Sequence, residues 1–121
     1  MWAALAADNL AIRDRFLAEI PVRSGAAVGT QAEARREQGR IFSVEHRGTQ
    51  VYPAFQFRDG QPHPTIAKVL AALPEGFSDW QRAFWFVVSN GWLGRQEPIE
   101  LLNDPEALVG AAMHAGDEFI G

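Results

Sequence analysis

Hydrophobic positions along this chain recur at helical spacing for most of its length and alternate only between Arg40 and Phe57. Leu5, Ile12, Phe16 and Leu17, with Arg13, Asp14 and Arg15 between them, predict an amphipathic helix over residues 2–19 that stops at Pro21. Ile66, Val69, Leu70 and Leu73 form an i, i+3, i+4, i+7 stripe opened by Pro64 in the first turn. Ser78 and Gln81 form a capping box in front of a helix carrying Trp80, Phe84, Val87 and Val88. Trp85 and Phe86 lie off that stripe, so this helix belongs either at the centre of the core or at an interface. Asp104, Pro105 and Glu106 supply a cap, a first-turn proline and an acid at the positive end of a last helix. Leu108, Val109, Ala112 and Met113 are its expected inner face, and Gly116 its end.

Shorter elements fill residues 22–57. Ser24 to Val28 reads as one helical turn closing at Gly29, and Thr30 as the cap of a helix over 31–38, with Glu33 completing a capping box and Gly39 stopping the helix. The stretch RIFSVEHRGTQVYPAFQF then reads as two strands around Arg47-Gly48. Phe42 and Val44 share one face of the first, and Val51, Pro53, Phe55 and Phe57 one face of the second. A lone hairpin is marginal in water, so these side chains are expected to rest on helices. RDGQPHP reads as a turn-rich linker.

Charge divides the chain. Residues 1–60 carry eight arginines against seven carboxylates, a balance of +1, and residues 61–121 carry three bases against eight carboxylates, a balance of −5. Arg35, Arg36, Arg40 and Arg47 fall close together in the first part. A short helix, a glycine turn, a second helix and a hairpin follow helix-turn-helix plus wing order. In that reading Gln31, Arg35 and Arg36 face a groove of DNA, where Arg pairs with guanine and Gln with adenine. Arg40 and Arg47 touch phosphates. The plain alternative is a helix–hairpin unit packed beneath the later helices, with the arginines on a solvated face.

Little else points to chemistry. With no cysteine, disulfides and thiolate metal sites are excluded. His46, His63 and His114 have no metal-ligand spacing, and no nucleophile–base constellation, phosphate loop or dinucleotide fingerprint is present. No catalytic residue, metal or cofactor is therefore expected. The apolar start halts at Asp8 without a basic flank, and no apolar run approaches the roughly 18 residues that span a bilayer. The expected setting is the cytoplasm, with no membrane partner. Trp92 and Leu93 in a tight glycine-rich turn are costly to expose. Either they plug the core or they meet a partner.

The stretch NGWLGRQEPIELLNDPEALVGAA, Asn90 to Ala112, resembles the toxin-binding C-terminal domain of the MbcA/ParS/Xre antitoxin family. The matching positions are Trp92, Leu93, Gly94, Pro98, Leu101, Leu102, Pro105, Glu106 and Val109. The hairpin and GQPHPTIAKVLAALP are similar to a subset of that family in which a hairpin precedes the helical domain, so the likeness covers roughly residues 40–115. The resemblance implies a protein that neutralises a RES-type, NAD-degrading toxin, binds operator DNA through its front part and forms a homodimer. It implies that Trp92, Leu93, Pro98, Leu101 and Leu102 shape the toxin-binding domain, with Glu118 and Phe119 near the toxin's active site. Residues 22–38 depart from the pattern, being shorter than the family's usual helix-turn-helix.

The expected fold is mostly α with one β-hairpin. An abbreviated winged helix-turn-helix-like part occupies 1–60, and a compact helical domain 61–121. Two other functions fit the same residues: a stand-alone DNA-binding transcriptional regulator, and a homo-oligomeric interaction module without a toxin, in which Trp85 and Phe86 bury a symmetric interface.

Overall fold

The structure is a computed structural model and describes residues 9–116. Leu5 of the expected first helix lies outside the described residues. Asn9 accepts a hydrogen bond from the Ile12 amide (3.2 Å) and starts helix α1, Leu10–Glu19. Its one fully inward residue, Phe16, meets Trp80 and Phe84 edge-on, with ring centroids 5.6 and 5.4 Å away. A third strand, absent from the sequence reading, follows Pro21: β1, Val22–Ser24. Ser24 then caps the single turn α2, Gly25–Val28, through the Ala27 amide (3.2 Å).

Helix α3, Ala32–Glu37, starts one residue later than the capping-box reading required. Thr30 does not cap it. The Ala32 amide is taken by the Gly29 carbonyl (3.2 Å), and the Glu33 carboxylate turns to Arg36. The stop at Gly39 forms as expected. Gly39 sits at φ 72°, its amide donates to the Arg36 carbonyl and the Arg40 amide to that of Arg35, the paired bonds of a Schellman ending.

The fold is mostly α with an antiparallel hairpin. Strands β2, Val44–His46, and β3, Thr49–Pro53, are joined by Arg47 and Gly48 at φ 52° and 82°. Two consecutive positive φ angles are what a type I′ turn requires. The sheet order is β1–β3–β2. The second strand is shorter than alternation suggested. Proline ends it, and Ala54–Gln56 coil into a 3-10 turn; Phe55 still packs with Val51 against the main core, whereas Phe57 turns to a smaller cluster. The presumed linker is itself a hairpin. Strands β4, Phe57–Arg58, and β5, Gln61–Pro62, pair around Asp59-Gly60, again with both φ positive.

Three nine-residue helices follow. They are α4, Pro64–Ala72, capped by His63; α5, Asp79–Val87, with the Ser78–Gln81 box complete; and α6, Pro105–Met113, capped by Asp104. Helix α5 is central. Trp80, Ala83, Phe84, Trp85 and Phe86 are all buried within the chain, so Trp85 and Phe86 are core residues and present no interface. Burying such a ring contributes roughly 1.5–3 kcal/mol. Phe86 lies parallel to Phe42 (centroids 5.8 Å apart, planes at 8°) and 5.1 Å from Phe55. The same core therefore holds residues from both sides of position 60. A smaller cluster, Ala32, Ile41 and Tyr52 with Val28 and Phe57, seats α3 on the sheet. On α6 the inner face is Leu108, Ala111 and Ala112, with Ala115 buried just past its end; Val109 is half-buried and Met113 points outward, against expectation.

Gln56 closes the joint between sheet and helices. It is fully buried. Its Oε1 accepts from the Phe42 amide (2.8 Å), and its Nε2 donates to the carbonyls of Phe42 (2.8 Å) and Pro53 (3.0 Å). Replacing Gln56 by Ala leaves two buried backbone groups of Phe42 unpaired, each worth roughly 1–3 kcal/mol, so the expected loss of stability is about 3 kcal/mol or more. The exposed Gln38→Ala should stay within about 0.5 kcal/mol of the parent. Urea unfolding of the two variants checks this, and a loss under about 1 kcal/mol for Gln56→Ala would refute the assigned role.

Candidate functional site

Asn90 organises the turn after α5. It is buried, its Oδ1 accepts from the Trp92 amide (2.9 Å), its carbonyl accepts from Leu93 (3.0 Å) and Arg95 (2.9 Å), and its amide donates to the Gln96 carbonyl (3.0 Å). Gly94 and Arg95 both adopt positive φ, 63° and 71°, which turns the chain sharply back. Gly91–Leu93 form a 3-10 turn that sends consecutive side chains in opposite directions. Leu93 enters the core at 7% exposure, whereas Trp92 remains 58% exposed. The two sequence alternatives for this pair are thus divided between its members.

The Trp92 ring is not loose. It stacks on His114 of the last helical turn, centroids 3.9 Å apart and planes at 12°. Met113, the preceding residue, is 69% exposed and borders a shallow recess of about 480 Å³ with Lys68, Pro105, Val109 and Gly110. The other residues of the expected toxin-binding set sit deeper. Pro98 is buried at the start of the 3-10 turn Pro98–Leu101, and Leu101 and Leu102 are half-buried against the main core. Leu102 also lends its carbonyl to the Thr65 hydroxyl (2.7 Å). These residues shape the surface from beneath, and Trp92 reaches solvent. Glu118 and Phe119 lie outside the described residues.

The expected DNA-contacting residues go to different partners. Gln31 is exposed at the start of α3. Arg36 is hydrogen-bonded to Glu33, which raises its already high pKa further. Arg47, at the hairpin tip, turns to Asp14 of α1 (3.4 Å) and donates to His46 (3.3 Å), whose Nε2 also lies 3.3 Å from Asp14. Arg40 is exposed. Arg35 is half-buried and donates to Gln61 of β5 (3.1 Å), while its Nε is buried without a hydrogen-bond partner. Two arginines outside the expected set lie beside the same β4–β5 hairpin. The Arg23 guanidinium covers the Phe57 ring at 5.8 Å, and Arg58 donates to Asn103.

His63 is buried. Its Nδ1 accepts from the Thr65 amide (3.2 Å), so its proton resides on Nε2, which is buried without a partner. Among the described residues, no three His, Asp or Glu side chains gather as metal ligands would, and no helix is long and apolar enough to cross a membrane. Compared with protein-family models, with curated proteins and with solved structures, the chain gives no match.

Trp92→Ala should change unfolding stability by no more than about 1 kcal/mol, since the ring is largely in water already, whereas Leu93→Ala should cost about 2–5 kcal/mol. Urea titrations of the two variants give the comparison. Equal losses would mean that Trp92 is a structural plug.

Proposed function

We propose that the chain is a non-enzymatic, antitoxin-like protein that binds a partner protein through its C-terminal helical half, and that the partner is a RES-type toxin which degrades NAD. One observation carries the reading: a tryptophan held rigidly by its backbone and by His114, yet mostly exposed. Tryptophan is enriched among the residues that dominate protein–protein affinity, and a ring already ordered loses little freedom on binding. The balance of −5 over residues 61–121 supports the same assignment. A toxin site that accepts anionic NAD is electropositive, and an acidic surface complements it. On this reading the protein acts in the cytoplasm, as a homodimer, and represses its own operon.

The test is co-expression with the product of the adjacent gene, followed by pull-down and a cellular NAD assay. A stable complex with rescue of NAD is the expected result. Trp92→Ala should weaken that complex at least about 30-fold, the equivalent of about 2 kcal/mol, while the protein stays folded. A neighbour that neither binds nor depletes NAD would remove the antitoxin assignment. A complex untouched by Trp92→Ala would move the contact surface elsewhere.

A further inference from the structure

Helices α4 and α6 lie side by side and run in the same direction. At their starts, the Thr65 hydroxyl donates to the Leu102 carbonyl just ahead of α6 (2.7 Å). At their ends, a Cβ placed on Gly116 would stand 3.4 Å from the ring of Pro74. The recess of about 480 Å³ beside Met113 lies along this pair. Pro105, Val109 and Met113, spaced i, i+4, i+8, line it from α6, and Lys68 lines it from α4. Gly110 leaves its middle open, since a Cβ built there would meet nothing within 4 Å.

Two groups at this recess are unmatched among the described residues. Met113 holds most of its apolar side chain in water. Lys68 is exposed and has no ion-pair partner there; Glu106, on the same rim, forms no ion pair with it. The chain supplies matching groups a few residues further on. Asp117, Glu118, Phe119 and Ile120, outside the described residues, set two carboxylates directly before two large apolar side chains. This segment starts from Gly116, at the closing end of the helix pair. Helical rise sets Val109 roughly 10 Å back from Gly116. Three extended residues span up to about 11 Å, so Phe119 can reach Met113 and Val109.

We infer that the recess between α4 and α6 is the docking site of the chain's own residues 117–120. Phe119 and Ile120 cover Met113 and Val109, and Lys68 faces the carboxylates of Asp117 and Glu118. A segment tethered this closely has an effective concentration on the order of millimolar, which favours it over a second copy of the chain. The docking stands without any partner. Its consequence rests on the antitoxin reading: Glu118 and Phe119 then serve both the recess and the toxin, so a toxin must draw them out of the recess to bind.

Oxidation of Met113 by hydrogen peroxide, followed by mass spectrometry of the full chain alone, tests the docking. Peroxide passes one oxygen to the thioether, giving the sulfoxide and water, and a covered sulfur reacts more slowly. Phe119→Ser with Ile120→Ser should speed the reaction at least about threefold, and Lys68→Glu should speed it in the same direction. Equal rates in the parent and the double variant overturn the inference. Lys68→Glu that reacts like the parent overturns the assigned charge pairing. Protection that grows with protein concentration assigns the recess to a second copy and overturns docking within one chain. Circular dichroism checks that the variants fold. If Lys68→Glu does not, the double variant decides alone, because both its substitutions lie outside the described core.

Discussion

A single side-chain amide stands where a strand neighbour would otherwise be. The residues before β2 run buried alongside the helices, and the β2–β3 ladder begins only at Val44. A buried backbone with no partner is costly. Gln56 answers this by exchanging both hydrogen bonds with Phe42, as a directly opposed residue in an antiparallel ladder does. Its own carbonyl accepts the His63 amide (2.8 Å), which leads the chain into α4. One residue thus terminates the sheet, replaces a missing strand and sets where the helices begin.

The aromatic core depends on that placement. Phe42 and Phe55 flank the amide network in sequence and in space, and both rest on Phe86. On the other side of α5, Phe16 packs on Trp80 and Phe84, and the Trp80 indole donates to the Glu45 carbonyl of β2 (2.9 Å). Helix α5 therefore grips the sheet through two separate contacts. The sheet cannot rotate on the helices without breaking one of them. The sheet and the Trp92 turn consequently keep a fixed relation to each other.

Local signals in the sequence were legible where one interaction decides the outcome within four residues. The Ser78–Gln81 box, the Asp104-Pro105 start, the Gly39 stop and the Arg47-Gly48 turn all formed as read, because each is a short-range backbone problem with one good solution. Thr30 failed because the helix begins a residue later, at Ala32, and Glu33, the other half of the expected box, turns its carboxylate to Arg36. Asp59-Gly60 carried a hairpin signal that the surrounding prolines obscured, and Pro62 proved compatible with the end of a two-residue strand. Gln56 was not legible at all. Its partners lie 14 residues back, and a polar residue in an alternating run reads as the solvent face. Met113 was misplaced because a helix that buries small residues turns by alanines. Ala111, Ala112 and Ala115 draw the inner face away from the larger side chain.

Site residues posed a different difficulty. A sequence shows how many charges a segment holds and not which of them are cancelled. Clustering along the chain selected Arg35, Arg36, Arg40 and Arg47, yet two of these are matched to carboxylates, one of them on a helix 33 residues away. Arg23 and Arg58 are isolated in sequence and were passed over. Folding brings them to one hairpin beside Arg35 and supplies each with a neutral support. The relevant quantity is the charge left after local pairing. The same logic separates Trp92 from Leu93. Their chemistry is alike and their positions adjacent, and the backbone of one turn, pinned by Asn90, assigns one to the core and one to water. The turn geometry therefore decides which of the two side chains reaches solvent, and a change at Asn90 would redirect both at once.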